Sequence, residues 1–330
     1  MAGSLVNPLR LHVGRAHMDR NIIKGNLAGV ICMIVWSLHF PLSVSILKSW
    51  DPLALTPVRM GLAGLTVAAV GLALGQASAM LELARDRRFV FISLVFALSG
   101  LFFIVGQSRI DAVSAAVIVS AMPIFSALMG WLEGMEKPGL KLVLAIGLTV
   151  AGGVLTSTVS AQGTGSEGSL PGVLFMLAGV IAYVWYSRQL VITFAETPDI
   201  SKVAVSMLIS VIPCSVILAA FATAGTAIAV DFSAATLGLI VAMAGMSVGL
   251  SSVLWLWTGR VVGVTVAAMH HNMVPFYVIV MAALGGAIVT GLHIAGALLV
   301  IAGALLAQLR PRKRKIGVTQ PVAPGRDSDI

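Results

Sequence analysis

Four polar side chains sit inside long apolar stretches of this sequence, His39 in one and His270, His271 and Asn272 in another. An imidazole titrates close to neutrality, so it can accept or give a proton in the working range or orient a polar solute. Neighbouring positions on a helix lie about 100° apart, so one of His270 and His271 can face a shared path while the other faces away. Rings and hydroxyls accompany them. Trp36, His39, Phe40 and Ser43 fall at i, i+3, i+4 and i+7, and Tyr183, Tyr186 and Ser187 repeat the start of that stripe. Ser247, Ser251, Trp255 and Thr258 share one face of a further helix. This is the chemistry of recognition, in which rings cover apolar parts of a solute and hydroxyls orient its polar ones. The same residue types also serve as plain packing and interhelical hydrogen-bonding devices.

Bond-making chemistry has less to stand on. No nucleophile, base and metal cluster shares a depth, no GxxxxGK[ST] phosphate loop is present, and three histidines without thiolate or carboxylate neighbours make no metal set. No cofactor is called for. All 13 acidic residues fall in loops, tails or helix ends, which disfavours a proton relay built on Asp or Glu. Arg59 lies toward the outer end of the second apolar stretch and is read as a charge that meets solutes entering or leaving. With no other cation at such a depth, a sugar-phosphate substrate is disfavoured. Pro123 and Pro275 interrupt two further stretches and withhold the N–H groups that would bond the carbonyls of Val119 and His271, so both are read as helix kinks.

The elements that must position these residues are membrane helices. The 330 residues are 58% hydrophobic and 10% charged, outside the range of a soluble domain. A hydrocarbon core takes about 20 apolar residues per helix, and ten segments qualify: 25–47, 54–75, 89–107, 112–132, 140–158, 170–190, 203–224, 234–258, 263–286 and 291–309. Small solutes and membrane lipids are the partners this implies. The net charge of +8 does not mark a nucleic-acid binder, because the basic residues punctuate the gaps between apolar runs. Of the 21 Lys and Arg, all but Lys48, Arg59 and Arg109 fall on the side of the N-terminus, which predicts cytoplasmic N- and C-termini. Residues 1–24 read as a basic cytoplasmic tail without the apolar core of a signal peptide, with Met18 as an alternative start. Residues 159–169 form an external linker, and 310–330 a basic, disordered cytoplasmic tail. Cys32 and Cys214 are packing residues. Monomer and homodimer both remain open.

The two halves resemble one another at a spacing of about 150 residues. Gly25 and Trp36 match Gly172 and Tyr183; Ala115, Ala116 and Pro123 match Ala267, Ala268 and Pro275; Gly153 matches Gly303. Five spans is an odd number, so the second copy enters the membrane inverted. The fold expected is an all-α integral membrane protein of ten transmembrane helices in two inverted five-helix repeats, 25–158 and 170–309, an architecture typical of transporters that bind their solute at the midplane.

The Trp36 segment, Asp51-Pro52 followed by Arg59, the run from Ala115-Ala116 to Pro123, Glu136 and the glycines Gly147, Gly152 and Gly153 resemble the pattern of the drug/metabolite transporter superfamily, in its two-domain EamA-type members. Gly172, Ala267-Ala268, Pro275, Gly296 and Gly303 continue it. Two departures touch coupling and substrate identity: Gly286-Ala287 where the family often has Gly-Glu, and Ser37-Leu38-His39 where it has a Gly-Asn-like step. The resemblance implies secondary transport, commonly export of amino acids, related metabolites or toxic compounds, from a bacterial inner membrane. Uptake of a small metabolite is the alternative, with a membrane enzyme behind it.

Overall fold

The computed structural model describes residues 8–134, 170–286 and 288–308, with scattered positions between 140 and 155. The expected linker and C-terminal tail, and most of the expected span at 140–158, lie outside the described residues, as do Glu136 and Gly153.

The chain is all-helical, with no strand among the described residues. The helices are α1 (Pro8–Ser37), α2 (His39–Ile46), α3 (Pro52–Ala73), α4 (Ala77–Arg85), α5 (Arg87–Gln107), α6 (Ala112–Val119) and α7 (Met122–Leu132). After residue 169 come α8 (Leu170–Thr193), α9 (Asp199–Thr223), α10 (Ala234–Ala242), α11 (Ser251–Val262), α12 (Val264–Met269), α13 (Val274–Leu284) and α14 (Gly291–Gln308). Eight helical stretches among the described residues are long and apolar enough to cross a membrane: Asn21–Ile46, Pro52–Ala73, Arg87–Gln107, Ala112–Leu132, Leu170–Thr193, Asp199–Thr223, Ala234–Val262 and Val266–Leu284. The apolar stretch of α14 is shorter. The basic stretch from Pro8 onward continues the first helix.

Local chemistry starts these helices. Asp51, Asp86 and Asp111 each cap one, accepting the N–H groups of Leu53 (2.7 Å), of Arg88 and Phe89 (2.7 and 3.2 Å), and of Val113 and Ser114 (2.8 and 3.0 Å). Pro52 fits the first turn of α3, where an N–H has no partner to lose. Between α11 and α12 the only hinge is Gly263, whose φ of +86° a residue with a Cβ rarely adopts.

Leu65, Phe91, Ile212, Val216 and Leu284 stand exposed around the bundle, as lipid-facing side chains do. Lipid gives helices little hydrophobic reason to associate, so small residues set the packing. A Cβ on Gly106 would come within 2.8 Å of the Met176 nitrogen and 2.9 Å of the Gly172 carbonyl, so α5 and α8 run with backbones nearly touching. The hydroxyl of Ser99 bonds the Gly179 carbonyl across the same seam at 2.9 Å. In the same way α3 lies along α9, α1 along α11, and α6 against α13.

Two ends of the bundle are distinguished by their contacts. At one, Arg188 pairs with Glu133, Asp199 with Lys202 (2.8 Å) and Arg260 (3.2 Å), and Ser201 donates to Gln76 (2.9 Å). At the other, the Trp50 indole donates to the Asp231 carbonyl (2.7 Å), the Asp51 N–H to the Ala229 carbonyl (2.8 Å), and the guanidinium of Arg109 lies over the Phe175 ring. Glu133 therefore lies at the first end, and Leu170, two residues before Gly172 and its neighbour Arg109, at the second.

Candidate functional site

Three membrane stretches are broken midway, each around a proline. Pro41 has no N–H for the Ser37 carbonyl, and the first stretch breaks at Leu38. The pair Ser120-Ala121 separates α6 from α7, in which Pro123 is the second residue. His270–Met273 narrows to a 3₁₀ turn before Pro275, second in α13, and the Val274 N–H takes the His271 carbonyl that the proline leaves without its helical partner. A fourth stretch stays continuous but widens to a π-helix over Met243–Leu250 between α10 and α11. Such irregular turns are common where a helix lines a site.

Around these turns lies a cavity of about 50 Å³. Trp36 and His39 come from either side of the first break, and Arg59 and Met60 from α3. Phe96, Ser99, Gly100 and Phe103 come from α5, Met122 from the start of α7, Tyr183 from α8, and Val248 and Ser252 from the π-helix and its continuation. A smaller recess of about 10 Å³ adjoins it, lined by Cys32, Met33, Ser251, Trp255 and His271, with Trp36 and Tyr183 shared by both. The rings interlock: the His271 imidazole meets Trp255 edge-on at 4.6 Å and Trp36 at 5.3 Å, and His39 meets Phe103 at 5.5 Å.

Polar atoms on these walls are left without partners among the described residues. The Nε2 of His39 reaches Ser43 Oγ at 3.3 Å, but its Nδ1 has none, and neither does Nδ1 of His271. Arg59 is 4% exposed; its Nη2 donates to the Gly100 carbonyl at 2.8 Å, and its Nε is unpartnered. Buried polar groups that their own protein leaves unsatisfied mark where water or a solute must supply the missing bond.

Of the residues singled out from sequence, Trp36, His39 and Tyr183 line the larger cavity, and His271 lines the recess with Trp36 and Tyr183. Phe40 and Tyr186 stand one layer behind, Phe40 edge-on to Trp36 at 5.3 Å and Tyr186 stacked on Phe96 at 4.3 Å. Ser43 supports His39. His270 turns away toward Gly29, where a Cβ would touch its ring at 2.9 Å, and Asn272 is buried outside both cavities. Ser251 and Trp255 reach the recess, whereas Ser247 and Thr258 do not line it. Arg59 lines the larger cavity, its long side chain extending to α5. The face of α5 was missed altogether. Its signal was a helical i, i+3, i+4, i+7 set, Phe96, Ser99, Gly100 and Phe103, hidden in a run of apolar residues.

Residues 23–158 match the model of the EamA-like transporter family. Fifteen chains of solved structures are similar to this one. One of them, titled only "Crystal structure of protein", is 19% identical, has a TM-score of 0.65, and is matched over 88% of this chain and 99% of its own, a likeness of fold. No curated protein matches. Residues 23–158 thus carry the likeness to the EamA-like transporter family, the domain of the drug/metabolite transporter superfamily, within a helical chain that has eight stretches, among the described residues, long and apolar enough to cross a membrane.

Proposed function

We propose that this chain is a secondary transporter that exports a small neutral or zwitterionic metabolite, an amino acid or related compound, by alternating access across a bacterial inner membrane, with both termini in the cytoplasm. The observation that carries the proposal is the cavity itself: helices before residue 134 and after residue 170 wall it jointly, where backbones are broken and buried polar atoms lack partners. Rocking one half against the other around such a site is how inverted-repeat transporters expose it to each side in turn.

One feature supports the ten-helix, two-repeat arrangement: the main helix contacts keep their pattern when the proposed halves are exchanged. The pairs α3 with α9 and α6–α7 with α12–α13 map onto themselves, and α5 with α8 maps onto α10–α11 with α1.

The test compares metabolites in medium and cytosol of matched cells with and without the protein at equal membrane expression. Outward movement of a small set of amino-acid-like compounds is expected. Accumulation inside would reverse the direction and make it an uptake permease, and no difference over broad metabolite coverage would refute transport of this solute class.

A further inference from the structure

We propose that Arg59 selects the transported molecule by its carboxylate, so that the substrate is a small organic acid or amino acid whose apolar body lies against Trp36, Phe96, Phe103 and Tyr183. This rests on the transport proposal above and names its substrate class. Arg59 is a permanent cation enclosed by protein at membrane depth, and its wall holds no carboxylate among the described residues. Asp51, on the same helix, is two turns away and occupied as a cap. A buried charge without a counter-ion is costly and is kept where something binds it.

The geometry holds the guanidinium ready. Gly100 has no Cβ, which would stand 3.3 Å from Nη2, so the guanidinium reaches the Gly100 carbonyl and is steered by it. That contact uses one of five N–H donors and leaves Nε, part of the planar fork that grips a carboxylate through two parallel bonds, without a partner. His39, on the same cavity, offers an unpartnered Nδ1 to a second polar atom of the solute. No acidic residue among the lining set is available for a cationic group, so the selection falls on the carboxylate, and an ammonium must rest against the rings.

The experiment uses the purified full chain and the twenty standard amino acids, each beside its primary amide and its deaminated acid. Binding is read from ligand-dependent thermal shifts and efflux from proteoliposomes. The expected result is that at least one amino acid binds and moves, that its amide binds weaker by about 30-fold or more, and that the deaminated acid keeps most of the affinity. Arg59→Gln should bring acid and amide within about 3-fold of each other, with Arg59→Lys between, since it keeps the charge and loses the fork. Comparable wild-type affinity for acid and amide, or equal weakening of both by Arg59→Gln, would overturn the assignment while leaving transport intact. If no panel compound binds or moves, the amino-acid-like transporter proposal falls, and the assignment with it. Should Arg59→Gln not emerge monodisperse from size exclusion, the wild-type acid-to-amide ratio and the lysine variant decide.

Discussion

Replacing Asp199 by Ala removes the carboxylate that joins two cations at one end of the bundle, and the structure says which of them will suffer. The Lys202 side chain is 1% exposed and 2.8 Å from Asp199, whereas Arg260 is 44% exposed and 3.2 Å away. Stranding a buried cation costs about 3–5 kcal/mol. The exposed arm adds no more than about 1 kcal/mol. Lys202 keeps the Phe194 carbonyl at 3.2 Å, which places the total toward the lower end, about 3 kcal/mol. Unfolding titrations in mixed micelles on Asp199→Ala, Lys202→Met and the double variant close a cycle. The double variant should recover most of the loss, because both buried charges are then gone. A single Asp199→Ala variant within about 1 kcal/mol of wild type, or single effects that add without coupling, would refute the reasoning.

Further expectations concern the α5–α8 seam and a helix cap. Gly106→Ala places a methyl 2.8 Å from a backbone nitrogen of α8, so the helices must part. A loss of about 1–3 kcal/mol in the same titrations is expected, and an unchanged midpoint would contradict the close approach. Asp231 is held below the ordinary carboxylate range, first by the Thr236 hydroxyl at 2.6 Å and then by the N–H and hydroxyl of Ser233 at 2.9 and 2.8 Å. A carboxyl depressed on folding contributes stability above its unfolded pKa and loses it as pH falls through the folded one. Protection of the Thr236 amide against hydrogen exchange should therefore drop on acidification more in wild type than in Asp231→Asn at matched pH; parallel profiles would refute it.

The sequence carried the membrane class and most helix limits because length and hydropathy are one-dimensional signals. The caps at Asp51 and Asp111 are equally local, made within four residues, but were not read from the sequence. The site was legible only in part. Trp36, His39 and Tyr183 declared themselves as polar or large rings in apolar runs. Which of two adjacent histidines faces inward depends on the 3₁₀ turn at His270–Met273, a tertiary outcome that periodicity does not encode. How far inward the Arg59 side chain reaches was not legible from its helix position. A side chain that long ends several ångströms from its own backbone, and the missing Cβ of Gly100 determines where it ends. Phe96 and Phe103 carried no mark in an apolar run, and only packing against Tyr186 and His39 identifies them as inward-facing.

The π-helix between α10 and α11 has a mechanical consequence. Its N–H groups bond five residues back, so each turn holds about one residue more than an α-turn. The segment Met243–Leu250 can return to α-helical bonding and trade that slack for rotation, about 100° for every residue of register, without severing the rod. Rotation by one residue would carry Ser252 off the larger cavity and bring a different neighbour to its wall. A helix with spare register can thus present two linings from one sequence, changing what the pocket offers without breaking the helix that offers it.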